Sequence, residues 1–276
     1  MRTSTNPFIT VVIVNYNHGQ FLETAIQSVI CQKGNYELII IDGGSTDNSL
    51  KIIESYSSNL YYWVSEPDKG QSEAFNKGFR KARGDYFMWL NADDVLGENA
   101  LLSIQQYLAR RPDIKWLAGN TIFIDSENKI LKCTRGMWFL PALVYLGPIG
   151  VNAPSSIFHR DLFYKVGGFD ESLHYTMDID LWLKFINANV KYKRINKYVW
   201  GFRVHTDSKT SHAFSGSPTD KFKQERRYVH EKNGHKNYKW AHHMYSLLKI
   251  IFFFTILSLY DTICMKGKFF INPRNL

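Results

Sequence analysis

The sequence predicts an α/β protein: a mixed sheet flanked by helices, followed by a helical C-terminal appendage. Three observations carry that prediction. β-branched apolar runs alternate with segments of helical periodicity through the first hundred residues. Polar loops rich in Asp, Gly and Ser follow those runs. Beyond residue 212 the chain turns basic and aromatic, with an apolar stretch at 250–260.

Phe8 to Asn15 is a continuous β-branched run, the pattern of a strand buried on both faces of a parallel sheet. After the turn Tyr16-Asn17-His18-Gly19, the residues Leu22, Ala25, Ile26, Val29 and Ile30 recur at helical spacing. Tyr36 to Ile41 repeats the strand pattern and completes a βαβ unit. Asp42-Gly43-Gly44-Ser45-Thr46-Asp47 follows it. Its glycines permit a tight turn beside a ligand, and Ser45 or Thr46 can cap a helix through Ile53 and Tyr56. Asp42 has two readings, an acceptor for a nucleobase or ribose and a simple turn residue. No GxGxxG is present, so the dinucleotide fingerprint is absent.

Leu60 to Ser65 reads as a third strand and Glu66 to Ser72 as a loop. Within the loop, Lys69 is either a phosphate contact or a solvated lysine. Ala74, Phe75, Gly78, Phe79 and Ala82 then mark one face of a helix that Gly84 stops. Tyr86 to Leu90 is a buried strand ending in Asn91-Ala92-Asp93-Asp94. Ligands of open α/β sheets bind beyond the carboxyl ends of the strands. Paired carboxylates there make a hard oxygen site for Mg²⁺ or Mn²⁺; the alternative is that they cap a helix starting near Glu98.

Trp116–Ile124 and Lys129–Thr134 read as paired strands, Ser155–His159 as a short strand and Asp161–Val166 as a short helix. Aromatics at Met137-Trp138-Phe139 and Tyr145 suit either core packing or an acceptor sugar. Asp178 and Asp180 stand at the head of a helix packed through Leu181, Phe185 and Ile186. The helix dipole favours a carboxylate there. Arg203, His205 and Lys209 come last, with His205 either structural or a metal ligand.

Charge is unevenly placed. The net charge is +9, yet residues 219–276 hold eleven Lys/Arg against four acids, which leaves the body nearly neutral. The run 250–260 is shorter than the ~20 residues of a bilayer span, so it reads as an interfacial or packing helix with basic flanks. Cys31, Cys133 and Cys264 are scattered, without disulfide or zinc spacing. The N-terminus runs straight into strand-like sequence, so no signal peptide is expected and a reduced, cytosol-facing setting is.

Five segments in order resemble one family: Val14-Asn15-Tyr16-Asn17, Asp42 to Ser49, Ser65 to Gly70, Ala74 to Gly78 and Asn91 to Asp94. Together they resemble the family 2 glycosyltransferases, inverting nucleotide-sugar enzymes with the Rossmann-like GT-A fold. The resemblance covers about residues 7–212. It implies a glycosyltransferase domain over 1–212, with a nucleotide-binding half near 7–97 and an acceptor half near 98–212, ahead of the basic region 213–276. It implies donor contacts at Asn15, Asp42, Asp68, Lys69, Asn76, Asn91 and Asp93, and a Mn²⁺ or Mg²⁺ site at Asp94, Asp93 and His205. Asp178 aligns with the catalytic base and Asp180 is the reserve candidate.

The implied reaction is hexosyl transfer from a nucleotide sugar, a UDP-sugar first, to a glycan or lipid-linked acceptor in surface polysaccharide assembly. The implied place is the cytoplasmic face of the inner membrane, peripherally bound. Two rivals stand beside it. One is a non-catalytic nucleotide- or sugar-binding relic of the fold. The other is a nucleic-acid-binding protein, disfavoured because the positive charge borders an apolar segment.

Overall fold

The computed structural model describes residues 7–136, 154–205, 220–236, 238–251 and 254–271. β1 (Ile9–Asn15), β2 (Tyr36–Asp42), β3 (Tyr62–Ser65) and β4 (Tyr86–Asn91) form the opening half-sheet. Between them lie α1 (Gly19–Ile30), α2 (Ser49–Ser55) and α3 (Gln71–Lys81). There follow β5 (Val95–Leu96), α4 (Ala100–Ala109), β6 (Trp116–Ile124), β7 (Ile130–Thr134), β8 (Ser156–His159) and α5 (Arg160–Lys165). The chain closes with α6 (Met177–Asn187), β9 (Tyr192–Arg203), α7 (Asp220–Lys232), α8 (Lys239–Ile251) and α9 (Phe254–Met265).

The strands form one sheet in the order β3-β2-β1-β4-β8-β6-β9-β5, with β7 paired to β6. β1 pairs in parallel with both β2 and β4, so the chain reverses its direction of growth at β1. That reversal opens a crevice at the carboxyl ends of β1, β2 and β4, where ligands of such sheets bind. The sequence expectations for β1 to β4, β6, β7 and β8 agree with these elements to within a few residues. Unforeseen were the two-residue β5 and the twelve-residue β9, whose Lys-rich face disguises a strand.

Strand alternation sorts the core into two unlike layers. Ile9, Val11 and Ile13 face an aliphatic layer with Leu22, Ile26, Leu38, Ile40, Leu101 and Ile104 beneath α1 and α4. Val12 and Val14 face an aromatic layer with Phe75, Phe79, Phe87, Trp89, Trp116, Phe158 and Trp182 beneath α3 and α6. Each such fully buried side chain contributes roughly 1.5–3 kcal/mol. Trp182 of α6 lies between Trp89 and Trp116, stacked at 5.4 and 5.2 Å with interplanar angles of 19° and 20°. The helix that starts beside Asp178 is thereby seated on the sheet one turn further along.

The C-terminal helices are built onto the body. Asp261 of α9 accepts from Arg135 (2.6 and 3.0 Å) and from the Tyr198 hydroxyl. Ser258 and Thr262 accept from the backbone amides of Arg135 and Cys133. Within the apolar run 250–260, the described residues belong to α8 up to Ile251 and to α9 from Phe254. None of the described helices is long and apolar enough to cross a membrane. The aromatic group at 137–145, Lys209 and the expected boundary at 212–213 lie outside the described residues.

Candidate functional site

Three groups of polar side chains meet at the carboxyl ends of the strands. The first surrounds Asp42, which ends β2 and is wholly buried. Its Oδ1 accepts from Asn15 Nδ2 and Ser45 Oγ, both at 2.6 Å. Its Oδ2 accepts from Ser65 Oγ at 2.6 Å and from the amides of Ser45 and Gly44 at 2.9 and 3.2 Å. Burial works against ionisation here, but the hydrogen bonds from Ser45, Ser65 and Asn15 outweigh it and hold the carboxyl below its usual pKa. The carboxylate is therefore spent on the loop. Asp42 and Asn15 together shape this turn, and Asn15 Oδ1 is buried without a hydrogen-bond partner. Asp68, against Gly43, is half-buried and accepts from Gly70 N at 2.8 Å. Burial pushes its pKa up. The Tyr16 ring borders Gly43 and is 61 % exposed.

The second group lies past β4. Asp94 has no exposed surface: its oxygens accept from Arg203 N and Asn91 Nδ2, each at 3.0 Å. Burial, with the Asp93 charge beside it, raises its pKa well above the carboxylate range. The oxygens of Asp94, expected as a metal ligand, thus bond within the protein. Asp93 is the outward member. Its Oδ2 lies 3.0 Å from His205 Nε2, and ligand atoms of His18, Asp93 and His205 all fall within 4.8 Å of one another. This is the one such group among the described residues. His18 was passed over in the sequence because a lone histidine in a turn carries no local signal.

Arg203, named above with His205, is buried and bonded within the protein. It donates to the carbonyls of Asp93 (2.7 Å), Asp125 (2.8 Å) and Ser126 (3.2 Å) and to Asn128 Oδ1 (2.6 Å). Its guanidinium lies 4.8 Å from the centroid of the Phe21 ring. It clamps the Asp93 backbone to the β6–β7 turn. Asn91, between the two groups, also accepts from Gln71 Nε2 at 2.6 Å.

The third group heads α6. Asp178 is partly exposed, and its Oδ1 accepts from Ile179 N at 2.8 Å. Burial raises its pKa to about 6, against the opposing pull of Arg226, with Glu225 adding a further push upward. Asp180 is wholly buried. It pairs with Lys184 at 2.7 Å, lies 3.4 Å from Lys232 and accepts from Asn233 Nδ2 at 2.9 Å. The reserve candidate for base is therefore enclosed, and it locks α6 to α7.

The first turn of α3 joins the groups. Gln71 bonds Asn91, Ser72 Oγ donates to Leu173 O at 2.8 Å, and Gly70 borders His174. The structure places two more of the expected donor contacts. Asn76 is buried and exchanges bonds with the backbone of Phe169, so it ties α3 to the loop before α6. Lys69 is exposed, with its amide donating to Glu73 at 2.8 Å.

Residues 10–166, more than half of the chain, match the model of the family described as glycosyl transferase family 2. The chain belongs to glycosyltransferase family 2. Uncharacterized glycosyltransferases of Rickettsia prowazekii and Rickettsia typhi are 30 % and 29 % identical over 201 and 199 residues. Each match takes in 68 % of this chain and 61 % of the relative, so the likeness spans about three fifths of those proteins. Among solved structures, Staphylococcus aureus TarS with UDP-GlcNAc superposes with a TM-score of 0.61 at 17 % identity, over 80 % of this chain and 65 % of that one. The Pyrobaculum calidifontis mannosyltransferase PcManGT with GDP-Man and Mn²⁺ gives 0.58 at 18 % identity, over 86 % and 72 %. These identities speak to fold, and the fold of this family 2 glycosyltransferase is GT-A.

Proposed function

We propose that this family 2 glycosyltransferase transfers a sugar, with inversion, from a nucleoside-diphosphate donor to a hydroxyl of a glycan or lipid-linked acceptor. A UDP-sugar is the first donor to test. The reading is carried by one juxtaposition: a partly buried carboxyl, Asp178, joined through the first turn of α3 to the end of β4, where His18, Asp93 and His205 converge. Asp178 takes the proton of the acceptor hydroxyl as that oxygen attacks the anomeric carbon from the face opposite the diphosphate, so an α-linked donor yields a β-linked product. A base whose pKa lies near 6 is ionised at neutral pH while remaining a better proton acceptor than an ordinary aspartate.

The His-Asp-His residues fit a divalent cation. Bonds of about 2.1 Å at right angles put adjacent ligand atoms about 3 Å apart, the separation of Asp93 Oδ2 and His205 Nε2, which is 3.0 Å. A cation held there supplies Lewis-acid stabilisation of the departing diphosphate. Two imidazoles beside a single carboxylate favour Mn²⁺ over Mg²⁺, which prefers oxygen ligands. Arg203 fixes the Asp93 backbone, and the exposed Tyr16 ring offers a stacking surface beside Gly43.

For the setting, we favour the surface of an anionic membrane and assembly of a surface polysaccharide. α9 turns its polar stripe (Ser258, Asp261, Thr262) to the body, while Ile256, Leu259, Tyr260 and Ile263 are 50–71 % exposed. Such an outward apolar face flanked by Lys266 and Lys268 suits an interfacial helix.

The test is thermal unfolding with UDP, GDP and dTDP, each with and without Mn²⁺. A native-state ligand at a hundredfold excess over its Kd adds about 2.7 kcal/mol. A Mn²⁺-dependent rise in Tm with one nucleotide supports the site and names the base. No rise with any of them sinks the transferase reading in favour of a non-catalytic relic.

A further inference from the structure

We propose that Glu225, on a helix of the basic C-terminal region, is a positioning residue for transfer: it ties down the loop that leads into α6, just ahead of Asp178. The proposal rests on Asp178 being the base. Thr176, at the N-cap of α6, makes no side-chain bond to its own helix. The amides ahead of the helix are met from outside instead. Glu225 Oε1 accepts from Tyr175 N (2.7 Å), Thr176 N (2.8 Å) and Thr176 Oγ1 (2.9 Å), and its Oε2 accepts from His174 N (3.1 Å). One carboxylate thus engages three consecutive residues that end two positions before Asp178. It comes from a residue 50 positions away in sequence.

Such charge-assisted bonds are roughly twice as strong as neutral ones, and the positive end of the α6 dipole favours the anion. The arrangement does for α6 what a local capping side chain does for other helices.

The rest of α7 is held independently. Asn233 donates to Asp180, Asn187 Nδ2 donates to Asn233 O at 3.0 Å, Lys232 pairs with Asp170, and Val229 is buried in the aromatic layer. Loss of the Glu225 carboxylate therefore frees the loop without releasing the helix. The charged groups acting on Asp178 from α7 are Glu225 and Arg226, of opposite sign.

The experiment uses the full chain with Glu225→Ala and Glu225→Gln. Displacing a reacting group by an ångström costs up to about a hundredfold, so Glu225→Ala is expected to lower kcat for transfer about ten- to a hundredfold. The Kd for UDP with Mn²⁺ should stay within about twofold, because the group at β4 is untouched. Glu225→Gln keeps an acceptor at Oε1 and deletes the charge. It should retain most of kcat and move the acid limb of the pH–rate profile to lower pH, as Asp178 loses a negative neighbour. A purely structural role leaves that limb in place.

Wild-type kcat in Glu225→Ala, a parallel loss of UDP affinity, or an unmoved limb in Glu225→Gln would each overturn the proposal. Should Glu225→Ala fail to fold, as circular dichroism would reveal, the limb in Glu225→Gln decides alone. Asp178→Asn separates the two levels: wild-type transfer by that variant removes the base assignment itself, whereas its inactivity beside unaffected Glu225 variants removes only the positioning role.

Discussion

The end of β4 and the head of α6 each carry two closely spaced aspartates, and each pair divides in the same way. Asp93 and Asp178 reach accessible space, while Asp94 and Asp180 are wholly buried. The buried members are satisfied by opposite means. Asp94 meets neutral donors, the amide of Arg203 and the Asn91 side chain, and its pKa rises well above the usual range. Asp180 meets two lysines, Lys184 and Lys232. Burial at Asp94 disfavours the charged form, whereas Asp180 forms ion pairs that act as a strut between helices. Each pair thus divides into one accessible carboxyl and one enclosed by the fold.

That division is open to direct attack. Asp178→Asn should lower kcat about 10²–10⁴-fold, the usual contribution of a general base, while isothermal titration shows UDP affinity unchanged. Next, Asp93→Asn or His18→Ala should weaken Mn²⁺-dependent UDP binding about tenfold or more, the scale of a lost metal ligand, whereas Asp94→Asn, isosteric with a protonated acid, should stay within a few-fold. Equal losses in Asp93→Asn and Asp94→Asn would collapse the comparison. Asp180→Asn takes the carboxylate partner from the partly exposed Lys184, while Lys232 keeps Asp170, and should cost roughly 1–3 kcal/mol in urea unfolding, with Mn²⁺–UDP affinity intact.

The smallest effect concerns pH. The folded-state pKa of Asp178 is raised to about 6, so the folded protein holds this proton more tightly than the unfolded chain. Its carboxyl therefore lowers stability as pH rises from about 4 to 6, and the penalty is complete above that window. Asp178→Asn should then be more stable than wild type by roughly 1–2 kcal/mol at pH 7.5, with the gain fading toward pH 4. The transfer rate of the wild type should fall as pH drops through about 6, the protonation of the base.

What could be read from sequence follows from where each signal is stored. β1, β2 and β4 are buried on both faces, so their apolar runs announce them. β9 interleaves Lys193, Arg194 and Lys197 with buried Ile195 and Val199, and its identity as a strand comes from pairing with β6. Local pattern does not separate Asp178 from Asp180, because both suit a helix N-terminus, and only the family resemblance put Asp178 first. Residues two apart on a helix point about 200° apart, so only one can face the cleft, and Trp182 stacked between Trp89 and Trp116 fixes which. Asp42 suits both a ligand contact and a turn by sequence, and its five accepted hydrogen bonds are with the turn and its neighbours. His18 and Glu225 act only through partners far away in sequence, which no local pattern encodes.

The stacked indoles have an optical consequence. Trp89, Trp182 and Trp116 lie face to face in a column through the aromatic layer. Transition dipoles held that close and that nearly parallel couple, so light absorbed by one ring is shared among the three. The contribution of this coupling to the circular-dichroism spectrum depends on Trp182 being seated, which gives the protein a label-free signal for whether the helix carrying Asp178 is in place.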